Sequence, residues 1–273
     1  MPTPVMPGAE PYASDGSGEH AATGVLVLHG YTGTVQGVRH WAEHLAGQGY
    51  AVSAPLLPGH GTTWQDLNTT RWPQWYAAVE DAFTELRSRT TRVVVAGLSM
   101  GGLLATKLAI EQGPRVAGLI LVNPIYLHDN RMLVALPVLQ RLVPSFPGIA
   151  NDIKKQGGEQ ELGYDRNPLR SMHSQTQLWQ EVRRDLGEVT QPVLLLHSRV
   201  DNVVPLVSSA YLMEHAGSSD VTEIWLENSF HVATLDNDAD VIHDESVRFI
   251  ERLDLPTPET TEPTSSHDIH DTE

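Results

Sequence analysis

The chain has 273 residues, 40% of them hydrophobic, and a formal net charge of −16. That length and apolar content suit one α/β core with an insertion better than two independent domains, and the charge argues against nucleic acid or an anionic membrane as partner because phosphates would be repelled. There is no cysteine, which removes disulfides, thiolate catalysis and cysteine-based metal sites together and suits a reducing cytoplasm.

Residues 1–20 lack a basic start and an apolar stretch, so they read as a flexible segment and not as a signal peptide. Val25–Leu28 is a short aliphatic run ending at His29-Gly30, and Val38, Trp41, Leu45 and Ala46 follow at helical spacing. Tyr50–Ala54 is extended; Pro55, Pro58 and Gly59-His60-Gly61 then make a loop. Trp72–Arg89 carries Trp75, Val79, Ala82, Phe83 and Leu86 in a helical pattern, with Pro73 tolerated in the first turn. Val93–Gly97 is a buried strand, and Gly102–Glu111 is a helix closed by Gly113-Pro114. Leu119–Asn123, Val193–His197 and Glu223–Leu226 are further strands, while Leu206–Ala216 and Ala239–Leu253 are helices. Short apolar strands alternating with helices specify a mostly parallel sheet covered on both faces.

From Ile125 to Val189 the alternation stops, with no convincing strand. The interval holds an apolar run, Met132–Leu142, broken by Pro137, then a polar loop over 151–160 and a helix near Ser171–Leu186. It is too long for a loop in a compact domain, so residues 125–189 read as a small cap inserted between core segments 21–124 and 190–254. Its apolar stretch is too short and too interrupted to span a bilayer, which leaves transient contact with a lipid surface through the cap. Residues 255–273 carry five acidic side chains and no basic one, and read as a disordered acidic tail.

Gly97-Leu98-Ser99-Met100-Gly101 lies where the strand Val93–Gly97 meets the helix that follows. As five letters it is a weak signal, but at a strand-to-helix turn it describes a nucleophile elbow, with a serine hydroxyl raised over the sheet edge. A serine needs a base, a group to orient that base and donors for the oxyanion. In this arrangement the acid and then the histidine follow the serine in sequence, each just beyond a strand. Asp201 meets the first requirement, the alternatives being a surface turn or a helix N-cap. Among 13 histidines, His231 has the terminal position after the last strand, and His197, at a strand end near Asp201, is its rival. His243 falls inside a helix, and His267 and His270 fall in the tail. The oxyanion donors are expected to be the backbone amides of Met100 and, in the loop His29-Gly30-Tyr31, of Tyr31, with His29 structural. Gly59-His60-Gly61 reads as a structured turn and not a metal site. With no dinucleotide fingerprint or P-loop, neither cofactor nor metal is expected.

LHGYTGT, PLLPGHG, AGLSMGG, the Asp201–Pro205 turn and SFHVATLDND together resemble the bacterial carboxylesterase and monoacylglycerol lipase family of α/β-hydrolases, from about Val25 to Leu253. The resemblance implies a Ser99–Asp201–His231 triad, an oxyanion hole from the Tyr31 and Met100 amides, and a cap over an acyl tunnel. It implies a sheet shortened to about six or seven strands, since only about 24 residues precede Val25. Glu161 aligns with a cap glutamate that these lipases hold near the alcohol site, although a solvated cap residue is the alternative. The expected activity is hydrolysis of carboxylic esters, monoacylglycerols above all. The alternatives are a generalist carboxylesterase, carbon–carbon bond or lactone hydrolysis on the same scaffold, and a ligand-binding scaffold without turnover.

Overall fold

The chain runs through β1 (Tyr12–Ser14), β2 (Thr23–Leu28), α1 (Gln36–Gly47), β3 (Ala51–Ala54), α2 (Trp64–Leu67), α3 (Trp72–Arg89), β4 (Arg92–Leu98), α4 (Met100–Gln112) and β5 (Val116–Val122). It continues through α5 (Met132–Leu142), β6 (Ser145–Pro147), β7 (Arg166–Pro168), α6 (Leu169–Arg184), β8 (Val193–Ser198), α7 (Val207–His215), β9 (Val221–Leu226) and α8 (Ala239–Asp254). This computed structural model describes residues 3–149 and 151–254, so the expected tail at 255–273, with His267 and His270, lies outside the described residues.

Seven strands form the sheet in the order β1–β3–β2–β4–β5–β8–β9. β1 is antiparallel to β3 and every other pairing is parallel. Side chains alternate between its faces as the pleat requires. Leu26 and Leu28 point into one core layer with α3, α4 and α6, and Val25 and Val27 into the other with α1 and α8. α4 is buried on nearly all sides, which explains why its sequence is apolar all round and lacks an amphipathic stripe.

Two expectations need correction. The first 20 residues are tied down over part of their length: β1 pairs with β3, Met6 N donates to Gly61 O at 2.7 Å, and Ala9 is fully buried. The interval between β5 and β8 does contain strands, because β6 and β7 pair antiparallel with Phe146 opposite Asn167. Each is three residues long and ends in proline, so neither shows the alternation that would mark a strand in sequence. The four-residue α2 also lies in what reads as loop, capped by Thr63 Oγ1, which accepts from Asp66 N at 3.2 Å. Among the described residues no helix is long and apolar enough to cross a membrane.

Candidate active site

β4 stops at Leu98, Ser99 takes φ 55° and ψ −114°, and α4 starts at Met100. A left-handed φ on a non-glycine residue costs about 1–3 kcal/mol, and the flanking residues enforce it. A Cβ on Gly97 would stand 2.3 Å from the Gly101 carbonyl carbon, and one on Gly101 would stand 2.1 Å from Leu28 O. The two glycines therefore let the ends of β2 and β4 touch the first turn of α4. Ser99 N donates to Val122 O at 2.9 Å, which fixes the turn to the end of β5 as well.

The loop after β2 lies against this turn, since a Cβ on Gly30 would meet Ser99 Cβ at 3.5 Å. His29 shapes that loop: its Nδ1 lies 2.9 Å from Gly30 O and its Nε2 accepts from Leu57 N at 3.1 Å. Burial lowers its pKa to about 4, so the ring is neutral, with one nitrogen donating and the other accepting. The Tyr31 amide has no acceptor among the described residues. The Met100 amide precedes the first bond of α4, Leu103 N to Ser99 O at 3.2 Å, and is one of that helix's free donors. The Met100 amide thus lies next to Ser99 at the positive end of a helix, and the Tyr31 amide belongs to the loop whose Gly30 packs on Ser99. The Tyr31 hydroxyl donates to Pro168 O at 2.9 Å and lies 2.7 Å from Ser171 Oγ, so the same residue also holds the start of α6. Burial pushes that phenol well above its ordinary pKa.

Asp201 and His231 meet on the loops after β8 and β9. Asp201 Oδ1 accepts from Val203 N at 2.8 Å and Val204 N at 2.7 Å, and Oδ2 lies 2.7 Å from His231 Nδ1. Burial alone would push the His231 imidazole down, but the Asp201 charge and hydrogen bond, joined by the charges of Glu161 and Asp152, hold it above the ordinary histidine value. Ser99, Tyr31, Glu161 and His231 line one cavity of about 310 Å³. His197 does not: its Nε2 lies 3.0 Å from Glu223 Oε1 and its ring packs on Trp225, beside the edge strand β9. His60 is also elsewhere employed, with Nδ1 3.2 Å from Pro58 O and its ring edge-on to His29 and Trp75. No group of three or more metal-ligating side chains occurs among the described residues.

Three further residues hold these loops. Asp152, in the polar stretch before Glu161, accepts from Asn202 N at 3.1 Å and His231 N at 3.0 Å through Oδ2, and from Asn202 Nδ2 at 2.7 Å through Oδ1. One buried carboxylate thereby joins the loop after β8 to the loop after β9. Asn123, at φ 44°, donates to His231 O at 2.8 Å and accepts from Ser198 N at 2.7 Å. Asp236 accepts four backbone N–H groups, from Lys154, Lys155, Phe230 and Asn237, at 2.7–2.8 Å. Locally Asp152 looks like any solvated loop carboxylate, and only the tertiary fold gives it partners. Asp236 is in the quoted stretch SFHVATLDND, where its identity is visible but its task is not. Asp152→Ala leaves three donors unpaired and is expected to lower the free energy of urea unfolding by about 2–4 kcal/mol. A loss below about 0.5 kcal/mol would mean that water or relaxation replaces the carboxylate.

Glu161 faces the cavity, its Oε1 so close to the loop after β2 that a Cβ on Gly33 would come within 2.6 Å. Burial raises its pKa; the nearby His231 opposes this and Asp152 adds to it. The segment around it is bound to the loop after β2 and the start of α1, with Tyr164 N donating to Thr32 O at 3.0 Å and Leu162 N to Gln36 Oε1 at 2.9 Å.

Sheet order, strand-end loops and the strained turn at Ser99 define an α/β-hydrolase. The chain belongs to the serine aminopeptidase S33 family, whose sequence pattern matches residues 19–238. It is 34% identical to the thermostable monoacylglycerol lipase of Bacillus sp. (strain H-257) over 90% of this chain and 96% of that protein. It is 27% identical to the carboxylesterase of Bacillus subtilis (strain 168), over 84% and 93% respectively. A solved structure from the metagenome-derived lipolytic enzymes LipS and LipT superposes with a TM-score of 0.87 at 37% identity, covering 91% of this chain and 100% of that one.

Proposed function

We propose that this chain hydrolyses carboxylic esters, monoacylglycerols in particular, by acyl transfer to Ser99 and then to water. The observation that carries the reading is the His231–Asp201 pair at 2.7 Å on the wall of a cavity that Ser99 also lines. In this reading Ser99 Oγ attacks the ester carbonyl while His231 Nε2 takes its proton. The tetrahedral oxyanion faces the Tyr31 and Met100 amides, and collapse breaks the carbon–oxygen bond as His231 returns the proton to the leaving alcohol. Water, deprotonated by the same imidazole, then releases the acid and restores Ser99. Asp201 fixes the imidazole tautomer and stabilises its charged form.

Residues 125–189 serve in this account as the cap. The stretch around Asp152 and Glu161 is bonded to all three catalytic loops, whereas α5 leaves Val134, Val138 and Leu142 exposed. Those side chains recur at helical spacing and suit transient contact with a lipid surface, and the cysteine-free chain suits the cytoplasm. Glu161 supplies an acceptor for the glycerol hydroxyls at the alcohol end.

Initial rates on mono-, di- and triacylglycerols and alkyl esters of one matched acid test the reading. Monoacylglycerols should give the highest kcat/KM; equal values on short alkyl esters would make the chain a generalist carboxylesterase. Glu161→Ala should raise KM for monoacylglycerols by about tenfold, the scale of one charge-assisted hydrogen bond, with less than about a twofold change for alkyl esters. Equal effects on both substrate classes would remove the alcohol-site role.

A further inference from the structure

α6 sends Met172, Gln175 and Trp179 into the cavity, offsets that put the three on one helical face. Leu133 and Ile125 line the same cavity, as do the polar His128, Asn130 and Asn167. Gln175 is 4% exposed and has no hydrogen-bond partner among the described residues. Its amide is not among the polar atoms sealed away without a partner, so the open space it meets is the cavity. Two buried hydroxyls beside it on α6 are paired: Ser171 Oγ donates to Pro168 O at 3.0 Å, and Ser174 Oγ accepts from Trp72 N at 3.0 Å. On the same helix the Trp179 indole Nε1 is sealed away without a partner among the described residues, whereas the unpaired Gln175 amide opens on the substrate space.

A plain alkyl chain lying over that amide would strip its water and leave both donor and acceptor unpaired. A hydroxyl or carbonyl would pair with it, since the glutamine amide both donates and accepts. A carboxylate is a poor fit, because no lysine or arginine lines the cavity while Asp152 and Glu161 do. Gln175 stands about one helical turn beyond Ser171, whose hydroxyl touches that of Tyr31. Its partner atom therefore lies along the acyl chain, away from the carbonyl that faces the Tyr31 and Met100 amides.

We propose that this site accepts acyl groups bearing a neutral oxygen, a hydroxyl or an oxo group, on the chain, and that Gln175 is the residue that selects them. The inference rests on the ester-hydrolase reading of Ser99 and leaves the bond broken unchanged. The test is kcat/KM for wild type and Gln175→Leu on p-nitrophenyl esters of one saturated acid and of its monohydroxy and oxo isomers, with the oxygen moved along the chain. Wild type should favour at least one oxygenated isomer over the plain ester by about tenfold, equivalent to about 1.4 kcal/mol. In Gln175→Leu that ratio should fall to about one or below, with the plain ester gaining. A wild type that prefers the plain ester to every isomer overturns the proposal, whether or not the leucine variant folds. So does a preference for an oxygenated isomer that Gln175→Leu retains. If folded wild type turns over none of these esters, the ester-hydrolase reading itself fails and takes the proposal with it.

Discussion

Ser99→Ala should reduce kcat/KM for ester hydrolysis by about 10⁴-fold or more while leaving the fold intact. The turn is set by Gly97 and Gly101, which permit the close approach of β2, β4 and α4, and by the Ser99 N bond to Val122 O, which alanine keeps. Alanine inherits the same strained φ of 55°, so its stability should stay within about 0.5 kcal/mol of wild type. Ser99→Gly should lose activity equally, yet gain about 1 kcal/mol because glycine adopts that φ without penalty. A stabilised and inactive glycine variant would identify the backbone strain as the cost of presenting a nucleophile there. The measurement is a rate assay with parallel urea unfolding, and substantial turnover by the alanine variant would exclude Ser99 as the nucleophile.

Asp201→Asn should reduce kcat by about 10⁴-fold. Asp201 Oδ1 would still accept from the Val203 and Val204 amides, but the group facing His231 Nδ1 could be an NH₂ and would then enforce the wrong tautomer. The pH dependence gives a second readout. The free base must be neutral, so wild-type kcat/KM should rise with pH through the His231 pKa, which lies above 6.5 because the Asp201 interaction outweighs burial. Removing the aspartate charge should move that limb to lower pH. Stability carries the same signature with its own sign. The folded pKa is raised, so the stabilisation from the protonated pair is complete below the unfolded value of about 6.5 and disappears as pH rises through the folded value. An Asp201→Asn variant with an unmoved acid limb would show that the carboxylate does not set the imidazole charge.

Much of this arrangement was legible from residues alone. Five-residue aliphatic runs such as Val93–Gly97 are too short for helices and carry no polar face, so they could only be buried strands. Asp201 and His231 were placed by order and by position after strands, and the two loops do bring them together. The glycines around Ser99 were legible as a turn, whereas the contact that makes Gly101 obligatory is to Leu28 O, 73 positions away in sequence. The illegible part is the part that depends on tertiary partners. β6 and β7 are a pair of three-residue segments with no alternation, and Asp152 sits in a polar run beside the exposed Asn151, Lys154 and Lys155. Its value comes from Asn202 and His231, which only the folded chain delivers. Gln175 likewise reads as one polar residue on an amphipathic helix until the cavity wall shows which face it occupies.

The insertion also divides into two physical regimes. The stretch from Asp152 to Tyr164 is hydrogen-bonded to the loops after β8, β9 and β2 and to the start of α1, so it cannot move without disturbing them. Among the described residues α5 makes no comparable polar attachment to those loops and exposes Val134, Val138 and Leu142; under the proposed function, substrate would enter on the α5 side and the alcohol would sit on the attached side.

The central claim is that Ser99 is an activated nucleophile which forms a covalent acyl-enzyme. Intact-mass measurement after treatment with a fluorophosphonate, followed by peptide mapping, tests it most directly. One adduct per chain, located on Ser99 and strongly slowed in Asp201→Asn, is the predicted result. A wild-type protein that stays unlabelled, or an adduct on any other residue, would contradict it.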